Sequence, residues 1–184
     1  MTDNSTDRRG TAAGVLGAAT VAMGLIAGVF YIFACAIMPS LARSDDRVFI
    51  EVMQNINDVI QNPVFFLSFL GALVLTAVSA RQLRGEPNRW WVFTALAAYM
   101  LVFLVTMAVN IPLNNRLADA GDPSRIADPA AVRDRFEDTW VAWNVVRALL
   151  STLALACLAR ALFLYRRPQT SAYLESAAGS SASR

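Results

Sequence analysis

The sequence predicts an all-α integral membrane protein: a four-helix transmembrane bundle with an extra amphipathic interfacial helix in its first outer loop. Three observations carry that expectation. The 184 residues are 56% hydrophobic and 16% charged, against about 45–50% and about 25% in average soluble domains. The apolar residues gather into stretches without acidic residues, at 14–38, 64–80, 90–111 and 144–165. As helices at about 1.5 Å per residue these measure roughly 38, 26, 33 and 33 Å, so each can cross or nearly cross a hydrocarbon core of about 30 Å. The first connection shows helical rather than strand periodicity, which places a further helix there. On this reading residues 1–13 form a cytoplasmic N-terminal tail, 14–165 one membrane domain, and 166–184 a Ser/Ala-rich, disordered cytoplasmic tail.

The first span contains Ala34-Cys35-Ala36, which resembles a small-residue cleavage site. Its apolar run is far longer than the roughly 7–15 residues of a secretory core region, so it is read as a span. Gly17, Gly24, Gly28, Tyr31 and Cys35 recur at seven, four, three and four residues and share one helical face. Gly24 and Gly28 make a G-x-x-x-G, which lets another helix approach closely. Packing within the chain is its expected use, with a homodimer through Gly24 and Gly28 as the alternative. Tyr31 continues that face, and its hydroxyl needs a partner.

The connection over 39–63 reads as an amphipathic helix starting near Ser44-Asp45-Asp46, with Phe49, Ile50, Met53, Ile56 and Ile60 on one side. At 100° per residue Asn57 falls inside that stripe, flanked by Gln54 and Gln61. Glu51 and Asp58 point to the wet side. The second span is the shortest, and a turn over 81–89 with Arg81, Arg84 and Arg89 leads to the third. There Thr106, Asn110 and Asn114 share a face. Pro112 lacks an amide hydrogen and clashes with the carbonyl of Ala108, so the helix should kink or stop, freeing carbonyls for Asn side chains or water.

After a long connection over 112–143, Trp140, Asn144, Arg147 and Ser151 line one face at the start of the fourth span. Trp140 and Trp143 fit an interfacial aromatic belt. Arg147 sits about one turn inside, where it needs partners, and Asn110, Asn114, Asn57 or a carbonyl freed by Pro112 are the candidates. It is either a functional cation or a structural pin. Arg160 snorkels at the other end.

Arginine placement sets the orientation. With both termini inside, the short three-arginine turn is cytoplasmic, as positive residues prefer, and the polar features gather at the outer leaflet of a multi-pass cell-membrane protein. The net charge of +2 gives no reason to expect nucleic acid. There is no histidine, which removes His-based triads, the usual zinc and non-haem iron sites and His-ligated haem. Cys35 and Cys157 lie toward opposite ends of their spans and read as unpaired packing residues.

Taken in order and spacing, Tyr31 with Met38-Pro39, Met53-Gln54-Asn55-Ile56-Asn57, Asn110-Ile111-Pro112-Leu113-Asn114 and Trp140-x-x-Trp143-Asn144-x-x-Arg147 resemble the anthrone oxygenase-like integral membrane proteins, over about residues 14–165. The resemblance implies a four-helix membrane protein. For a few fungal relatives in polyketide pathways it implies oxidation of an anthrone to an anthraquinone. It brings no catalytic residues with it, so the site is argued from this sequence alone.

Arg147 and Tyr31 are the catalytic candidates. Asn57, Asn110, Asn114, Trp140, Trp143 and Asn144 are the candidates for holding a small, flat aromatic ligand, with no metal and no cofactor. An anthrone anion can itself reduce oxygen, so such a site needs an apolar slot, aromatic walls and donors for the anion. The alternative is a non-catalytic membrane protein whose polar cluster is structural or binds a lipid or partner. A transporter ranks last, since the spans hold no mid-membrane acids and no detectable inverted repeat. With Cys35 and Cys157 replaced, single cysteines placed in the 112–143 connection should react with an impermeant maleimide on intact cells; labelling only after lysis overturns the orientation.

Overall fold

The structure, a computed structural model, describes residues 3–166, with side chains described over 9–165. The tail expected over 166–184 lies, from 167 onward, outside the described residues. The chain forms α1 (Asp3–Ile32), a π-turn (Phe33–Ile37), α2 (Met38–Leu41), α3 (Asp46–Val59), α4 (Pro63–Gln82), α5 (Arg89–Val105), a second π-turn (Thr106–Asn110), α6 (Ile111–Asp119), a 3-10 turn (Pro123–Arg125), α7 (Pro129–Asp134) and α8 (Glu137–Arg166). Four helical stretches are long and apolar enough to cross a membrane, and we read the chain as a multi-pass membrane protein. Helix α1 begins at Asp3, well before the span expected from residue 14.

Each long helix packs against two others: α1 against α4 and α8, and α5 against α4 and α8. The result is an up-down-up-down bundle. At one end lie the α4–α5 turn, the N-terminal end of α1 and the C-terminal end of α8; at the other, α2, α3, α6 and α7 form a cap. The interior divides accordingly. A bundle core runs from Leu16, Met23 and Phe30 to Phe69, Tyr99 and Leu158. A cap core gathers Met38, Phe49, Ile50, Met53, Leu113, Leu117, Phe136 and Trp140. Helix α3 presents the expected face, with Phe49, Ile50 and Met53 buried and Glu51 and Asp58 exposed.

Helix starts in the cap repeat one device. An Asn or Asp before proline caps the first turn while the proline occupies a position whose amide needs no partner. Asn62 accepts from the amides of Val64 and Phe65 at 3.0 Å, and Asp128 accepts from Ala131 at 3.0 Å. Asp122 accepts from the Ser124 amide and hydroxyl, which hold its carboxyl below the usual range. Gly121, at φ 77°, takes the left-handed conformation that ends α6.

Pro112 does not stop the third span. The helix widens into the Thr106–Asn110 π-turn, in which the Ile111 amide reaches back to the Thr106 carbonyl, and then continues as α6. The same solution precedes Pro39, where the Met38 amide donates to the Phe33 carbonyl. One extra residue in the turn accommodates the missing donor and the ring without breaking the helix.

Arg133 ties the cap together. It donates to Glu137 at 2.6 Å, Asp46 at 2.9 Å and the carbonyls of Ser44 and Ala42 at 3.0 and 3.1 Å, with its guanidinium 4.6 Å from the Phe49 ring centre. Arg47 donates to the Pro123 and Ile126 carbonyls, and Gln54 to those of Leu117 and Gly121. Arg133→Ala should destabilise the protein by about 1–3 kcal/mol and speed amide exchange in α3. Unchanged melting and exchange would show that the cap does not depend on it.

Candidate functional site

Arg147 projects from α8 into the junction between bundle and cap and is only 5% exposed. A guanidinium there must replace its hydration with protein contacts. It lies 4.4 Å from the Phe30 ring centre and 5.4 Å from that of Trp140, within reach of cation–π attraction to both. One Nη donates to Asn144 Oδ1 at 3.0 Å, and the other reaches the Thr106 hydroxyl at 3.5 Å. Asn144 in turn donates through Nδ2 to the Phe30 carbonyl at 3.1 Å. One amide thus fixes the cation and bridges α8 to α1.

Around this cation lies a cavity of about 160 Å³. Phe30 and Phe33 come from the first span, Phe65, Phe66 and Phe69 from α4, and Trp140 from α8. Rings brace one another behind this lining: Phe33 lies 5.6 Å from Trp140, and Phe69 stacks between Phe65 and Phe103 at 5.7 and 5.8 Å. The polar lining consists of Arg147, Thr106 and the amides Asn57, Gln61, Asn114, Asn115 and Asn144; among the described residues no carboxylate lines the cavity.

Three buried polar atoms at this junction have no hydrogen-bond partner among the described residues: Arg147 Nε, Asn57 Nδ2 and Asn110 Oδ1. An unmet buried donor costs about 1–3 kcal/mol. Two of these groups, Arg147 and Asn57, belong to cavity-lining residues and offer N–H donors.

The structure brings most of the expected residues together. Asn57, Asn114, Trp140, Asn144 and Arg147 line the cavity. Asn110 sits behind the lining, with Nδ2 at 3.5 Å from the Trp140 carbonyl. Asn114 Oδ1 accepts from Trp140 Nε1 at 2.8 Å and so holds the indole in place. None of Asn57, Asn110 and Asn114 bonds Arg147; Asn144, Thr106 and two aromatic faces take that role instead.

Two expectations need correction. Tyr31 is 61% exposed and Trp143 39% exposed, and neither lines the cavity. Tyr31 projects from the outer side of α1, beyond its contacts with the neighbouring helices. Trp143 lies on the edge of the inward face of α8. Gly24 is close enough to α8 for an added Cβ to meet Leu155 at 3.7 Å, whereas Gly28 faces open space. Cys35 and Cys157 are both free.

The phenylalanines and Met107 were not legible as site residues, because apolar side chains in apolar spans carry no mark that separates lining from packing; Thr106 was legible only as a polar group on the face of Asn110 and Asn114. The i, i+4 pair Phe65 and Phe69 was the available hint. A second concavity, of about 510 Å³, lies on the outside of the cap beside Arg116 and Arg135; none of the expected site residues lines it.

Fold and site together define an integral membrane helical bundle with an aromatic, cation-containing cavity under a capped end. The sequence matches the model of the anthrone oxygenase family over residues 52–157. That stretch runs from within α3 to within α8 and carries all of the cavity lining except Val29, Phe30 and Phe33. The chain belongs to the anthrone oxygenase family. No curated protein and no solved structure gives a match.

Asn144→Leu should destabilise the protein by about 2 kcal/mol, since it strips the buried cation of its best hydrogen bond. Asn144→Leu combined with Arg147→Met should lose less than Asn144→Leu alone, because no unpaired charge remains. Detergent-titration unfolding measures both; a double variant no more stable than the single one would show that Asn144 does not act through Arg147.

Proposed function

We propose that the protein is a membrane-embedded oxygenase for a flat aromatic ketone of the anthrone type, with the Arg147 cavity as its site and its capped end on the outer side of the membrane. The observation that carries the reading is a buried guanidinium with an unpartnered N–H inside an aromatic slot. Family membership supports it, and the arginine-rich α4–α5 turn supports the orientation.

The chemistry suits what this chain offers. An anthrone loses a proton from the methylene opposite its carbonyl, and the negative charge spreads through the rings to the carbonyl oxygen. Arg147 Nε and Asn57 Nδ2 are the donors available to that oxygen, in surroundings where such contacts count for more than in water. The anion gives an electron to dioxygen. Recombination at the former methylene carbon and loss of water then yield the quinone, so that anthrone and dioxygen become anthraquinone and one water. With no carboxylate in the lining, the site's role on this reading is to favour the anion rather than to supply a general base.

A structural reading has one specific observation in its favour, the Asn144 bridge between Arg147 and α1. Purified protein in lipid nanodiscs separates the two. Oxygen uptake with an anthrone should fall about 100-fold in Arg147→Ala, the cost of losing a main anion donor, and less in Asn57→Ala, with quinone formed in step with oxygen consumed. Folded protein that consumes no oxygen, or an Arg147→Ala rate equal to wild type, would refute the oxygenase reading.

A further inference from the structure

We infer that the Arg147 cavity is loaded sideways from the bilayer, through a mouth between α4 and the second π-turn, and that its ligand is a flat aromatic molecule dissolved in the membrane. The inference rests on the reading of this cavity as a ligand site and adds the route and the phase from which the ligand comes.

The exposure of the lining residues locates the mouth. Those contributed by the first span and α8, among them Phe30, Phe33, Asn144 and Arg147, are buried or half-buried. The exposed ones are Phe66 on α4, Met107 on the π-turn, Ile111 and Asn115 on α6, and Gln61 just after α3. The opening therefore faces away from the wall that carries the cation. It lies where α4 and α5 meet, and these two share the least extensive of the four helix contacts in the bundle.

Rim chemistry identifies the phase outside. Phe66, Met107 and Ile111 are apolar and belong to the membrane-crossing stretches, with no charged residue among the lining side chains except Arg147 at the far wall. Gln61 and Asn115 stand at the cap edge of the opening, where headgroups and water begin. A molecule sliding in from the hydrocarbon meets only apolar atoms until it reaches the amides and the guanidinium. Among the described residues, the polar side chains exposed at the opening, Gln61 and Asn115, are uncharged and confined to its cap edge.

Size adds a constraint. About 160 Å³ is close to the roughly 150 Å³ dry cavity that holds one benzene ring. A fused-ring ligand thus places one ring inside and leaves the rest in the mouth against Phe66, Met107 and Ile111. Those rim side chains need no polar complement on the ligand, which suits an extended apolar ring system.

Rates of probe uptake test the route. Trp140 is made the sole tryptophan by Trp90→Phe, Trp91→Phe and Trp143→Phe, with Cys35→Ala and Cys157→Ala. Its quenching by anthraquinone, which needs no turnover, is followed by stopped flow in nanodiscs. Met107→Cys and Phe66→Cys are each compared with themselves before and after reaction with a bulky maleimide, which should slow uptake at least about tenfold, as blocked gates do. The same modification of Gln61→Cys or Asn115→Cys, each measured against its own unmodified form, should slow uptake far less. Slowing only at the cap positions, unchanged rates after modification at Met107 and Phe66, or no quenching in the parent would each overturn the inference. Parent protein that takes up anthraquinone through this mouth yet consumes no oxygen with an anthrone would leave the route standing and remove the oxygenase reading.

Discussion

A guanidinium held away from water inside a membrane bundle constrains everything near it. Arg147 carries such a group, and the cost of about 2.5–3.5 kcal/mol that insertion scales assign to an arginine at mid-span is an upper bound on its cost one turn inside. Two aromatic faces at about 0.5–2 kcal/mol each and one good charged hydrogen bond at about 1.5–3 kcal/mol are together sufficient to offset that. The molecule supplies these from separate elements: Phe30 from α1, Trp140 and Asn144 from α8. Moving any of the three leaves the cation short. The positions of α1 and α8 relative to each other, and the seating of the indole by Asn114, follow from the need to hold this one group.

The two π-turns serve the same end. Both come immediately before a short cap helix whose second residue is proline, and both border the cavity, through Phe33 in one and Thr106 and Met107 in the other. A helix that stopped at Pro112 would have left open carbonyls at membrane depth, each needing a partner. A straight helix could not have passed the proline ring at all without strain. The widened turn keeps the ladder closed and delivers α6 over the cavity, where Asn114 reaches Trp140 and Leu117 receives Gln54. Arg133 and Arg47 then lock the cap from above with bonds to backbone carbonyls and carboxylates.

How far all this was legible in the sequence depended on what kind of signal each part carries. The four spans and α3 were legible because hydrophobic length and 100° periodicity report directly on which faces avoid water. Arg147, Asn144 and Asn57 were legible as polar groups placed where polarity is costly. Their pairing was not, because distances across the bundle depend on which helices are neighbours, and Asn144, one turn from Arg147 on its own helix, displaced the expected partners from α3 and α6. Tyr31 was misplaced because the Gly24–Gly28 face lies at the border of the packed surface rather than at its centre. Trp143 lies roughly 70° round the helix from the centre of the inward stripe of Asn144, Arg147 and Ser151, far enough to leave the cavity. The phenylalanine lining gave no signal, since in an apolar span a wall and a packing contact have the same composition.

What the chain can contribute chemically is narrower than its cavity suggests, and the narrowness is informative. The lining offers a cation, amide donors and aromatic faces, and neither carboxylate nor tyrosine hydroxyl among its side chains; the sequence has no histidine to supply the usual proton carrier. Such a set stabilises negative charge far better than it moves protons. On the proposed reading, rate then depends on how readily the bound ketone ionises, and substituents that acidify it would matter more than any residue acting as base. A cation facing an apolar slot also selects for ligands that carry no positive charge and can spread a negative one over fused rings. The buried arginine that constrains the fold would by the same property choose the substrate.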